Sequence, residues 1–414
     1  MRGLAGRLQE YAGVAGKMGA WGLLVSFWGL WFGVFVHFML PRLHYLAGPG
    51  LIDNDQPCGK PECDFSDFWR AGFTARMPVE KLKYLSLPLQ PGALFPLPGG
   101  YHEGFPYPPP ILLPAAAVSH LPFELGFFTW TLAWLALAVA ALRWARLSWP
   151  VIVLALLSPA VLLNTMSGQL GTAGGALLVA GLLRAPERPL GAGCLLGLLV
   201  CKPQTGILVP AALLGMRSWR GMAGFVAVCA ALILLTFAVF GWPVWQEYLG
   251  HGRQGGVTVL TAAFSPHTAE GIGVSIFWML RSLGSGVQLA SAVQFGMAAL
   301  VMGGIAWLWA RAAMPVLDKA ALTVLLSLLA TPYGYTYDMV ASSIMLVALA
   351  ERRQWRFGLR EVLFWLWPAL CPTVSVASGV LFTPLVVALA ALTVWQPTAL
   401  RARAAVLPPR PTGA

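Results

Sequence analysis

Charge is what this chain lacks. Only 10% of its 414 residues are Asp, Glu, Lys or Arg, where a soluble domain carries roughly 25%. Acid is scarcer than base, with 16 Asp and Glu against 27 Lys and Arg. A chain that is 58% hydrophobic, with mean hydropathy +0.71, reads as a polytopic membrane protein. Its net charge of +11 does not imply nucleic acid, because cytoplasmic loops of membrane proteins collect Lys and Arg. Cysteine is sparse as well, with 6 in all. Cys194, Cys201, Cys229 and Cys371 lie in apolar segments, where free cysteine behaves as a small hydrophobe. Cys58 and Cys63 share a polar loop and are too few ligands for a metal. A disulfide is open to them if that loop lies outside the cytoplasm. Also missing are a zinc constellation, a glycine-rich phosphate loop after a strand and a Ser/His/Asp pattern. The expectation is no metal, no cofactor, no nucleotide-binding domain and no nucleic-acid partner.

One long stretch is not apolar. It runs from Cys63 to Pro110 and carries Asp64, Asp67, Glu80 and Glu103, with Asp53, Asp55 and Glu62 just upstream. Before it, residues 1–19 are mixed and basic, and Trp21 to Leu40 is long enough for a span. No small-residue cleavage site follows, so the segment reads as a signal anchor that stays. Within the loop, Asp64 to Leu87 has helical periodicity. Phe65, Phe68, Trp69, Ala71 and Phe73 face one way, and Arg70, Arg76, Lys81 and Lys83 face another. That pattern suggests an amphipathic helix along the membrane surface. Pro88, Pro91, Pro96 and Pro98, with Gly99 and Gly100, then break regular structure.

From Ile111 onward, short apolar runs alternate with two kinds of turn. One kind is basic, as at Arg143 and Arg146, Arg184 and Arg188, Arg217 and Arg220, Arg311 and Lys319, and Arg352 to Arg360. The other is rich in Pro, Gly and amide: Tyr107-Pro108-Pro109-Pro110, Asn164 to Gln169, Cys201 to Gln204, and Thr331 to Asp338. Placing the basic turns and the N-terminus in the cytoplasm puts most of the 27 Lys and Arg there. The amide-rich turns then face the periplasm of a bacterial inner membrane, with a first periplasmic loop at 41–107 and a second at 241–273. The expected fold is a single all-α integral membrane domain over 1–414, a bundle of about ten to twelve spans with both termini inside. Several runs, such as Val151–Leu163, Leu170–Leu183 and Ala320–Ala330, fall short of the about 20 residues a span needs. Their polar turns then sit below the membrane surface, where irregular backbone is tolerated only inside protein or around a water-filled cavity. The sequence therefore implies an outer cavity lined by these turns and roofed by the first loop.

Candidate site residues follow. Asp64 and Asp67, at i and i+3, share a helix face and can supply a general base and its partner. Helix capping explains the same residues. Asp338 and Lys202 are ionisable groups at the ends of apolar runs, functional by default or simply paired with each other. Asn164 and Gln169 flank Ser167-Gly168. Amides that donate and accept suit a hydroxyl-rich ligand, and they equally suit a turn. Tyr107 precedes a rigid proline run and can stack on a ligand; its other role is architectural. Gln204, Tyr337 and His267 complete the substrate-binding candidates. For His267, as for His251, a plain surface histidine is the competing reading.

These residues carry a resemblance. Asp64-Phe65-x-x-Phe68-Trp69-x-Ala71-Gly72 resembles the opening motif of glycosyltransferase family 87, as does Tyr107-Pro108-Pro109 followed by Leu121-Pro122 and Trp130. Gly168-Gln169, Lys202-Pro203-Gln204 and Thr331-Pro332-Tyr333 with Tyr337-Asp338 occur in that family's order. Known members, the mycobacterial phosphatidylinositol-mannoside mannosyltransferase among them, are membrane-embedded GT-C enzymes that take a sugar from a polyprenyl-phosphate donor. The resemblance implies a catalytic base at Asp64. The family's pattern continues to a Tyr-Asp after the amphipathic helix, where this chain reads Lys83-Tyr84-Leu85-Ser86, without the acid. The function expected is transfer of a mannose-like hexose from that donor to a lipid or glycan hydroxyl, with inversion. The alternative is a transporter or flippase of a lipid-linked sugar, which needs the cavity but no base. Transporters often show duplicated halves with matching broken helices, and no duplication is visible in this sequence.

Overall fold

A computed structural model describes residues 22, 25–43, 64–76, 105–267, 269–355 and 359–406. The Cys58–Cys63 pair, the loop roof at 77–104 and the basic N-terminus fall outside them. Among the described residues the chain is helix and turn, with one isolated antiparallel bridge between Gly273 and Tyr335 in place of any strand. The expected all-α membrane bundle is the architecture observed.

The first helix, α1, covers 25–43. Then come α2 (Phe65–Ala75), α3 (Leu112–Val118) and α4 (Phe123–Trp144). Two short apolar helices, α5 (Trp149–Leu156) and α6 (Pro159–Ser167), form a pair bent by 54°. The bend has a local cause: Pro159 opens α6, and Ser158 caps it by accepting from Val161 N at 3.4 Å. Next are α7 (Gly171–Arg184), α8 (Pro189–Gly197), α9 (Val209–Gly215) and α10 (Trp219–Phe240). The 241–273 loop includes α11 (Trp242–Glu247) and α12 (Arg253–Thr261), and α13 (Ile276–Ser282) follows it. The bundle closes with α14 (Val287–Arg311), α15 (Val316–Leu329), α16 (Val340–Arg352), α17 (Leu359–Ser378) and α18 (Phe382–Val406).

By length and composition, 4 helices among the described residues can cross a membrane, or 5 counting the bent pair. The other apolar helices, such as Gly171–Arg184 and Pro189–Cys201, are short. The count of ten to twelve is reached only if such short pieces are counted too, as the short runs in the sequence foreshadow. The centre of the bundle is α7, buried along nearly its whole length and packed on α4, α8, α15 and α16.

The alternation of turn types becomes a division between two ends. At one end Glu187 pairs with Arg184 and lies 3.9 Å from Arg146. There too Ser148 bonds Glu351, and Arg352 pairs with the buried Asp318. The turns rich in Pro, Gly and amide gather at the other end.

Candidate active site

The site begins with α2. Its apolar face, Phe65, Phe68, Trp69, Ala71, Gly72 and Ala75, is buried. The sequence suggested that this face lies on the membrane surface. It packs on protein instead, because α4 presents an aromatic wall and α3 a face of small apolar residues. Phe68 stacks on Trp130 with centroids 5.1 Å apart, and Phe65 meets Phe127 edge-on at 5.5 Å. Trp69 Nε1 donates to Leu121 O at 3.2 Å. Gly72 lets α2 touch α3 backbone to backbone, since a Cβ there would lie 2.3 Å from Ala115 C. Helix α2 as described ends at Ala75, short of Leu87, and Arg76 ties it to the end of α3 by donating to Ser119 O at 2.8 Å.

This packing fixes Asp64 against the turn between α6 and α7. Gly168 has φ +67°, and a Cβ on it would fall 2.3 Å from Phe65 Cβ. Trp130 Nε1 holds the same residue by donating to Gly168 O at 2.8 Å. Gln169 is thereby aimed at Asp64, and its Nε2 donates to Asp64 Oδ2 at 2.6 Å and to Tyr107 Oη at 2.7 Å. Asp64 stands at the N-cap position of α2, yet its side chain makes no capping bond to the helix.

The network continues inward. Lys202 sits between two short 3-10 turns, Leu198–Cys201 and Pro203–Gly206. Its ammonium donates to Gln169 Oε1 at 3.2 Å and to Asp338 Oδ1 at 2.5 Å. The same nitrogen lies 4.9 Å from the centre of the Tyr337 ring. Lys202 is 2% exposed and Asp338 9%. Asp338 Oδ2 also accepts from Tyr335 N at 3.3 Å, which locks the 3-10 turn Thr336–Asp338. Two carboxylates, one ammonium, one amide and the Tyr107 phenol thus meet in one hydrogen-bonded cluster, with the Tyr337 ring against the ammonium. Burial, followed by the nearby Asp64 charge, pushes the Tyr107 and Tyr337 phenols well above their ordinary range. Both are therefore held neutral, and Tyr107 Oη accepts from Gln169 Nε2.

A family model described as glycosyltransferase family 87 matches residues 105–332, more than half of the chain. The chain belongs to glycosyltransferase family 87. No curated protein and no solved structure matches it. Membership makes the protein a membrane glycosyltransferase, with a sugar donor and an acceptor as substrates. Asp64 lies well before the matched residues and Asp338 just after them.

In this family 87 enzyme the remaining candidates divide. Asn164 holds the backbone together. Its Oδ1 accepts from Thr172 N at 3.0 Å and Thr172 Oγ1 at 2.9 Å, and its Nδ2 donates to Tyr337 O at 3.3 Å. It thus ties the bent pair of helices to the Thr336–Asp338 turn. Asp67 is exposed one helical turn beyond Asp64, and its charge acts on Arg70. Gln204 is half-buried and makes no side-chain hydrogen bond among the described residues. His267 is exposed, and its backbone N–H bonds Ser265 Oγ at 3.3 Å, so its side chain is not drawn into the cluster. Among the described residues no group of 3 or more His, Cys, Asp or Glu stands at metal-binding distance.

The sequence reading missed Thr172, Tyr335 and the Trp130 indole as supports. Each acts through a contact far from its own position in the chain or through backbone, which periodicity does not report. The expected roof of the outer cavity, 77–104, lies outside the described residues. Beside Tyr107 a cleft of about 10 Å³ remains, lined by Phe105, Glu247 and Tyr248 among others.

Proposed function

We propose that this glycosyltransferase takes its sugar, a mannose-like hexose, from a polyprenyl-phosphate donor and passes it to a lipid or glycan hydroxyl. The reaction runs on the periplasmic face of a bacterial inner membrane. The observation that carries the reading is the cluster itself: a carboxylate, Asp64, and an ammonium, Lys202, bridged by the single amide of Gln169.

In the proposed step the acceptor hydroxyl attacks the anomeric carbon while Asp64 takes its proton. The new bond joins acceptor oxygen to that carbon, the bond from carbon to phosphate oxygen breaks, and the configuration inverts. The departing polyprenyl phosphate gains negative charge, which a fixed ammonium in a water-poor site stabilises. Lys202 supplies that charge, with the phosphate joining or displacing Asp338. Tyr107 and Tyr337 add neutral donors for sugar hydroxyls or phosphate oxygens. A monophosphate leaving group carries less charge than the diphosphate of a nucleotide sugar, so the step does not depend on a metal.

The test is donor consumption. The purified full chain in detergent is offered a panel of radiolabelled polyprenyl-phosphate sugars and, in parallel, nucleotide sugars. Consumption confined to the lipid-linked donors is expected. Use of a nucleotide sugar with every lipid-linked donor left intact overturns the reading.

A further inference from the structure

One cavity lies away from the cluster. Helices α15 to α18 leave a crevice of about 130 Å³ between them. Met345, Leu349 and Ala350 of α16 line it, with Phe364 of α17 and Ala390 of α18 opposite. Along α16 it runs from Ser342 to Arg353, about 16 Å of helix. Its flank includes Leu363 and Leu389, which are 46% and 56% exposed. In a membrane that flank opens onto acyl chains.

The charged groups gather at one mouth, at the basic end of the bundle. Arg353 Nη1 donates to Glu361 Oε1 at 3.0 Å, and those two charges cancel. Arg360 also lines the mouth, is exposed, and forms no ion pair among the described residues. The mouth therefore carries net positive charge. Near it in the chain, Trp355 is 38% exposed, and tryptophan collects at the depth of lipid headgroups. An apolar slot with a cation at headgroup depth complements an amphiphile with an anionic head and a hydrocarbon tail. Basic pockets between membrane helices on the cytoplasmic side bind such headgroups.

We infer that the crevice holds one anionic phospholipid from the leaflet at the basic end. Its acyl chain lies along α16, and its phosphate sits against Arg360. The site is separate from the Lys202 cluster, whose charges lie at the opposite end of the bundle.

Native mass spectrometry of the purified full chain tests this, with phosphatidylglycerol, phosphatidylcholine and inorganic phosphate as probes. One phosphatidylglycerol per chain is expected to bind about fivefold more tightly than phosphatidylcholine, the factor a single surface arginine gives. Arg360→Gln should bring that ratio close to one. Ala350→Phe, which fills the slot, should remove both lipids, and Ala390→Leu serves as a milder filling if that variant does not fold. Equal binding of the two lipids by the unmodified chain overturns the inference. So does an unchanged ratio in Arg360→Gln, undiminished binding in the folded filling variant, or displacement of the lipid by inorganic phosphate.

Discussion

Gln169 donates through one nitrogen to Asp64 Oδ2 at 2.6 Å, across 105 positions of sequence. Its amide oxygen faces the other way and accepts from Lys202 at 3.2 Å. A single planar group therefore sets the distance between the proposed base and the proposed phosphate ligand.

Asp64→Asn is expected to fold and insert but to lose two to four orders of magnitude in turnover, about the range for removing a general base. Asp67→Asn should lose much less, since Asp67 is exposed and interacts with Arg70. The measurement is single-turnover transfer from the donor identified in the panel. Near-normal turnover in Asp64→Asn moves the base to Asp67 or Asp338.

Gly168→Ala tests how the turn is positioned. The left-handed φ of +67° alone costs an added side chain about 1–2 kcal/mol. The new Cβ also meets Phe65 Cβ at 2.3 Å, so α2 must move and carry Asp64 with it. Thermal unfolding in detergent should shift downward, and turnover should fall more than the stability loss explains. A variant with unchanged turnover shows that the Asp64–Gln169 spacing is not critical.

The fold class and the two ends were legible because each rests on local composition. Apolar runs report burial, and Arg and Lys mark one set of turns. Asp64, Gln169, Lys202 and Asp338 were legible as polar breaks in apolar sequence. Their partnership was only half legible. The Lys202–Asp338 pair could be suggested by opposite sign, but the amide between Lys202 and Asp64 could not. That contact depends on Gly168 adopting a left-handed turn under Phe65 and on Trp130 holding its carbonyl. The face of α2 was read correctly as apolar and assigned the wrong neighbour. Periodicity shows that a face is apolar, and lipid and aromatic protein look alike from one strip of sequence. Arg42 was missed for a similar reason. It ends α1 and pairs with Glu124 at 3.1 Å, both nearly buried, which clamps α1 to α4.

Membrane orientation gives a prediction that needs no substrate. In a background with the native cysteines replaced, His267→Cys should react with an impermeant maleimide in intact cells, and Arg217→Cys should react only after lysis. Both positions are exposed, so access depends on the side of the membrane. The reverse labelling overturns the periplasmic assignment and with it the choice of a lipid-linked donor.

The last prediction separates a structural ion pair from a phosphate site. Lys202 and Asp338 are buried and lie 2.5 Å apart, so removing either alone strands a charge at a cost of about 3–5 kcal/mol. Lys202→Met by itself is therefore uninformative, since instability and lost chemistry coincide. Replacing both by apolar residues of similar volume is often neutral or stabilising. The double variant Lys202→Met with Asp338→Leu should recover thermal stability, less about 1–3 kcal/mol for each group left unpaired, the Gln169 oxygen without its donor and the Tyr335 N–H without its acceptor. Donor affinity is then read on a folded protein. A pair that serves only structure predicts recovery of affinity and stability together. A Lys202 that holds the donor phosphate predicts stability without affinity, because no other described cation enters the cluster. Arg281 is engaged elsewhere, donating to Ser285 O at 2.9 Å and Ala262 O at 2.6 Å. Normal donor affinity in the double variant removes Lys202 from the phosphate and makes Arg253 the next residue to test.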